Sequence, residues 1–116
     1  MNPIFDREGK VVAWRNDENI YHLDGSHAAV INKENVYGSG GQHLGIFLEG
    51  FFRDHRGDAV AFLPGAFGGP ILPTPSTPPA SPAPSTPPIP PTPSIPPIPA
   101  MLTLDWGISW IEFINP

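Results

Sequence analysis

The side chains best suited to chemistry in this sequence are histidines that recur at a fixed spacing. His27 and His43 lie sixteen residues apart, and His22 falls in the same column as Asp6 and Asp54. Imidazole and carboxylate groups are zinc ligands, so a metal site between neighbouring repeats is one interpretation. The other is that these polar side chains lie on the outward face of strands or form cross-strand hydrogen bonds. No His-Glu-x-x-His or other spaced ligand signature is present, and we expect no metal and no cofactor.

Other catalytic patterns are absent from the sequence. It contains no Gly-x-Ser-x-Gly motif, and the glycine-rich stretch 38–41 is followed by neither a lysine nor a predicted helix, as a phosphate loop would be. The acidic pair Asp17 and Glu18 falls in a predicted turn. We therefore expect that the protein is not an enzyme.

The histidines belong to a repeat that organises most of the chain. Residues 3–66 read as four ungapped copies of a 16-residue unit, with Ile4, Ile20, Val36 and Phe52 in register. Two further columns carry small residues, which are Gly9, Gly25, Gly41 and Gly57 in one and Ala13, Ala29, Gly45 and Ala61 in the other. Repeats of this length bury their apolar faces against their neighbours. The second column indicates close approach around a shared pseudo-four-fold axis.

Each unit reads as a β-hairpin, which predicts an all-β domain of about eight short antiparallel strands. Asp24-Gly25 and Gly40-Gly41 suit a two-residue type I′ turn. Alternation in the second strand of each unit predicts that the parity of Val12 and Trp14 faces the core.

A proline-rich arm follows the repeats. Fifteen of the 18 prolines lie between residues 70 and 99, a composition that excludes helix and sheet interior and favours polyproline II. We interpret residues 67–100 as a stiff spacer. Two segments, 84–87 and 93–96, also match the PxxP form that aromatic grooves recognise.

The tail, residues 101–116, is apolar again. Ser109 and Glu112 have the spacing of a capping box and predict a short helical turn. Trp106, Trp110 and Phe113 are candidate anchors, and such a segment is expected to pack on a β-domain of this protein, in cis or exchanged between subunits. We accordingly expect self-association through the tail, in preference to a foreign protein partner or a membrane surface.

Composition narrows the class of protein further. The 116 residues carry a net charge of -5 with no basic run, which argues against a nucleic-acid partner. Cysteine is absent, and no signal peptide or apolar run of membrane-spanning length is present. We expect a soluble, cytoplasmic protein with three parts: a repeat domain (1–66), a linker (67–100) and an apolar C-terminal segment (101–116).

The repeat resembles that of the bacterial four-fold beta flower proteins. The resemblance rests on residues 4–6, on Ile20-Tyr21 with Asp24-Gly25, on residues 43–47, and on residues 54–57 and 60–62. It extends to the proline-rich segment and the tryptophan-containing C-terminus. Arg53 departs from the pattern, because an aromatic residue is expected there. The resemblance implies four hairpins about a pseudo-four-fold axis and brings no catalytic or binding residues with it.

Two functions remain at this point. The first is a structural or protein-interaction module, because every repeated residue has a packing or turn explanation. The second is a small-ligand or metal-binding protein that uses the polar column between repeats.

Overall fold

The computed structural model describes residues 1–86 and 95–116. Eight antiparallel strands follow one another around a closed barrel. They are β1 (Asn2–Phe5), β2 (Val11–Asn16), β3 (Asn19–Tyr21), β4 (His27–Asn32), β5 (Asn35–Gly38), β6 (His43–Leu48), β7 (Phe51–Arg53) and β8 (Ala59–Phe62). Each strand pairs with the next along the chain, and Phe5 of β1 pairs with Phe62 of β8 to close the barrel. The predicted all-β fold of four hairpin repeats is confirmed.

The hairpin within each unit has a three-residue loop. In the first unit, the Gly9 N–H donates to the Asp6 carbonyl and the Asp6 N–H donates to the Lys10 carbonyl, and the other three units repeat this pair of bonds. The glycine that ends each loop has a φ of 80 to 90°. This is a type I turn followed by a left-handed glycine. The prediction of two-residue type I′ turns at these positions is therefore wrong, although the glycines do need positive φ.

Two-residue loops occur instead between the units. Asn16 pairs with Asn19, and Asn32 pairs with Asn35, so two residues connect each pair of strands. The first loop residues, Asp17 and Lys33, have φ values of 54° and 58°. Polar residues tolerate this left-handed conformation better than other non-glycine types do.

The inner core pairs a large residue with a small one in every unit. The register joins Ile4 to Ala13, Ile20 to Ala29, Val36 to Gly45 and Phe52 to Ala61. All eight side chains or backbones are buried. An eight-stranded barrel has room for little more than its own side chains, so a small residue opposite each large one lets the barrel close.

The predicted core face needs correction. A register shift follows the large residue in each unit and leaves Val12, Ala28, Leu44 and Val60 beside the small column, within or against the inner core. Because such a bulge puts two consecutive side chains near one face, simple alternation fails. Val30 and Ile46, two residues further on, are only half-buried. Phe62 belongs instead to a separate aromatic cluster with Phe5 and Phe51.

A short helix, α1 (Trp110–Ile114), packs against the inner core. The Ser109 hydroxyl accepts from the Glu112 N–H at 3.2 Å, which confirms the predicted capping interaction. Phe113 lies where the side chain of residue 45 would project, since a Cβ added to Gly45 would be 2.7 Å from the Phe113 ring. Such a Cβ would lie closer still to the Arg53 carbonyl oxygen, so the absence of a side chain at Gly45 makes room for β7 as well as for the tail.

Candidate functional site

The histidines at the repeated position each form a local pair with an asparagine. His27 Nε2 lies 2.9 Å from Asn19 Oδ1, and His43 Nε2 lies 2.9 Å from Asn35 Oδ1. Both rings also meet a tyrosine edge to face, with centroids 5.6 Å apart for Tyr21 and His27. The partner of each histidine therefore comes from its own unit, and the two units use the same polar pair.

His43 has a second partner that the sequence did not indicate. Its Nδ1 lies 3.0 Å from Nε2 of His55, which is in the loop between β7 and β8. The two rings are 17° from coplanar with centroids 5.2 Å apart. That centroid distance and the short N–N distance together describe rings that meet edge to edge through a hydrogen bond. Because His43 Nε2 donates to an amide oxygen, its Nδ1 is the acceptor and His55 donates.

Burial lowers the pKa of His43, and the nearby His55 lowers it further. The pKa of His27 is lowered for the same reasons, first by burial and then by His22. Both shifts favour the neutral imidazole, which is the form that the acceptor role of His43 Nδ1 requires.

A cavity of about 380 Å³ lies beside this histidine pair. It is lined by His43, Ile46 and His55 of the barrel and by residues 97–100 of the arm. Volumes of this size accommodate small ligands.

The metal-binding alternative gains no ligand set from this geometry. Within residues 1–86 and 95–116, no group of three or more His, Cys, Asp or Glu side chains could hold a metal ion. His27 and His43 have separate partners, and His22 acts electrostatically on His27 and on Asp24.

The arm is bound to the barrel at the hairpin loops. The Ser76 N–H donates to the Gly9 carbonyl at 2.8 Å, and the Ser85 N–H donates to the Gly25 carbonyl at 3.1 Å. After the arm, the Thr103 N–H donates to the Gly57 carbonyl at 3.2 Å. These residues are therefore docked on the barrel, a contact that their interpretation as a stiff spacer did not include. The formal PxxP matches depend on Pro87 and Pro93, which lie outside the described residues.

Arg53 donates hydrogen bonds to the chain at the start of the arm and just after its end. Its Nη1 donates to the carbonyls of Gly57 and Thr103 at 2.7 and 2.8 Å, and its Nη2 donates to the Gly68 carbonyl at 3.0 Å. The guanidinium also lies over the Phe51 ring, 5.4 Å from its centroid. The side chain is 1% exposed, and burial lowers the pKa of Arg53 in spite of nearby carboxylates. Three carbonyl acceptors offset much of the cost of burying this cation.

The three aromatic anchors of the tail lie in two places. Trp110 and Phe113 are 5% and 1% exposed and pack on Phe52 of the inner core. Trp106 lies on the other aromatic cluster, with its ring 6.2 Å from those of Phe51 and Phe62. It also pairs with Ala59 in a parallel bridge. The structure therefore places all three residues on the chain's own barrel.

Several large aliphatic side chains of the arm and tail project into solvent, and four of them follow one another at intervals of three residues. Ile95, Ile98, Met101 and Leu104 are exposed by 94%, 95%, 88% and 72%. Their spacing of three residues equals one turn of polyproline II, a helix in which every third side chain lies on the same side, although Leu104 itself lies in a bend. We call these four residues the apolar edge.

The apolar edge and the pairing of His55 with His43 were not predicted from the sequence. The apolar edge could have been found by applying a period of three to the proline-rich segment, as one applies a period of two to strands. His55 offered no such signal, because it lies in a loop and its counterparts in the other units are Arg7, Leu23 and Ser39.

The chain matches the model of a family described as 4-fold beta flower protein over residues 2–114. No match was found among curated proteins or among solved structures. In the part of the chain that the structure describes, no helix has the length and apolar character needed to cross a membrane.

Proposed function

The chain belongs to the 4-fold beta flower family, and from that premise we propose that it is a non-catalytic structural module that associates with a second copy of itself. The apolar edge carries this proposal. Soluble monomers rarely expose a contiguous row of large aliphatic side chains, and such patches mark interaction sites. The repeated residues of the barrel, by contrast, are used for turns and packing.

The geometry of the edge suits a self-complementary contact. Thr103 is held by Gly57 and Arg53, so the backbone beneath Met101 and Leu104 is ordered before any partner arrives. Preorganisation lowers the entropic cost of association. A two-fold axis would bring the same edge of each copy together, as isologous dimers do.

The area is consistent with a weak, specific dimer. Four exposed aliphatic side chains offer on the order of 500 Å² per copy, and two facing copies would bury on the order of 1,000 Å², the lower bound for a specific interface. We therefore expect reversible association with an affinity in the micromolar range, and no obligate oligomer.

Sedimentation velocity over a concentration series tests the proposal. The unsubstituted chain should show a concentration-dependent shift towards dimer, and Ile98→Asp should remove it. Ile71→Asp is the matched control, because Ile71 is also 94% exposed on the arm and lies outside the apolar edge. The proposal is refuted if the unsubstituted chain remains a monomer at all concentrations, or if both substitutions act alike.

A further inference from the structure

The contacts between the arm and the hairpin loops share one geometry. At the first two loops, an arm N–H donates to the glycine carbonyl, from Ser76 to Gly9 and from Ser85 to Gly25. The carbonyl oxygen two residues earlier in the arm, that of Thr74 or Ala83, lies over the same glycine where a Cβ would project. Thr103 and Met101 repeat this arrangement at Gly57. Gly9, Gly25 and Gly57 therefore accommodate this passing segment as well as the turn.

The spacing of these contacts shows a register between arm and barrel. Ser76 and Ser85 are nine residues apart and serve adjacent hairpins, while Ser85 and Thr103 are eighteen apart and serve hairpins two units apart. The sequence also has a serine at position 94, halfway between the latter two and outside the described residues. Nine arm residues thus correspond to one 16-residue unit of the barrel.

The dimensions of the molecule account for this ratio. Nine residues of polyproline II span about 28 Å at about 3.1 Å per residue. The molecule is a disc 37 by 36 Å across and 21 Å thick. A quarter of the circumference of such a disc is also about 28 Å, which equals the length of nine residues of polyproline II. An arm of this period therefore advances by one hairpin per repeat.

We propose that the row of hairpin loops is a receptor for polyproline II segments, and that the arm of a second copy can occupy it in place of the chain's own arm. Residues 70–86 carry no charge, so recognition depends on backbone hydrogen bonds, in particular those of the Ser76 and Ser85 N–H groups nine residues apart. A second copy has the same spacing because its sequence is the same. This inference is independent of the apolar edge, since it concerns the side of the arm that faces the barrel.

The test uses a fluorescent synthetic peptide of residues 70–86 and the full-length chain carrying Ser76→Pro and Ser85→Pro. These substitutions keep the polyproline conformation and remove the two N–H donors. Fluorescence anisotropy should show saturable binding of the peptide to this variant, at least tenfold tighter than to the unsubstituted chain, whose own arm competes. A peptide carrying the same two prolines should not bind.

Two further measurements keep the proposal falsifiable if the double variant does not fold. Ser85→Pro alone should increase peptide binding in the same direction, by a smaller factor. In the unsubstituted protein, amide hydrogen exchange should be slower at Ser76 and Ser85 than at Ser81. Absence of peptide binding to a folded variant, equal binding of the two peptides, or unprotected amides at Ser76 and Ser85 would each overturn the inference.

Discussion

Replacement of Phe113 by alanine should destabilise the whole barrel, although Phe113 is only three residues before the last residue of the sequence. Phe113 is 1% exposed and packs between Trp110 and Phe52, with ring centroids 5.5 and 6.4 Å away. Removal of a fully buried phenylalanine costs about 3 to 5 kcal/mol, through lost transfer energy and the cavity left behind. Small domains have a total stability of only about 5 to 15 kcal/mol, so Phe113→Ala should lose a large share of it.

Equilibrium denaturation in guanidinium chloride measures this loss. Ile111→Ala is the matched control, because Ile111 lies in the same helix and is 71% exposed; its effect should stay within about 0.5 kcal/mol. If Phe113→Ala and Ile111→Ala have the same midpoint, the tail is not seated in the inner core and the reasoning fails.

Two other predictions concern the loops and the histidines. Gly25→Ala should destabilise more than Gly65→Ala in the same denaturation assay: both glycines have positive φ, but an added Cβ would meet the Ala83 carbonyl at 2.7 Å in the first case and nothing within 4 Å in the second. Equal losses would mean that backbone strain alone explains the glycine column. The neutral forms of His27 and His43 are favoured in the fold, so between their lowered folded pKa and the unfolded value near 6.5 the unfolded chain binds more protons. The free energy of unfolding should therefore fall as the pH drops below about 6.5. In thermal melts from pH 7.5 to 5.5, a double variant with glutamine at both positions should show a weaker dependence of the melting temperature on pH. An unchanged dependence would contradict this assignment.

The hairpin architecture could be predicted from the sequence because each unit repeats its own local signals. Glycine at position 9 and its equivalents must end a tight loop, and apolar residues on either side must pair. The type of loop could not be predicted so directly. A left-handed glycine suits both a type I′ turn and the loop of three residues that the structure contains, and only the hydrogen bonds of Asp6 and its equivalents decide between them.

The prediction of which residues of each strand face the core was incomplete for a related reason. Alternation assumes an uninterrupted ladder, and the register shift between Ile4 and Phe5 breaks that ladder in every unit. Val12 and Ala13 then both lie at the inner core, where strict alternation would separate them. Bulges leave little trace in composition, so the sequence pattern did not predict that residues of both parities reach the inner core here.

The arm posed a different difficulty. Its composition predicts an extended conformation, and a low-complexity segment of this kind is ordinarily a spacer. Whether it docks depends on a match between two periods, nine residues in the arm and sixteen in the barrel. Neither period indicates docking on its own. The two can be compared only when the width of the folded molecule is known.

Arg53 shows how the asymmetry of a single chain is accommodated in a four-fold fold. In the second and third units the equivalent residues, Tyr21 and Tyr37, pack against a histidine. The fourth unit is where the arm begins, at Gly68, and where the chain returns, at Thr103, so it must bind two extra strands of backbone. A tyrosine hydroxyl has one proton to donate, whereas a guanidinium has five N–H donors in a fixed plane. An arginine at this position can therefore satisfy the Gly57, Gly68 and Thr103 carbonyls together, and the departure from the repeat lies where the symmetry of the chain ends.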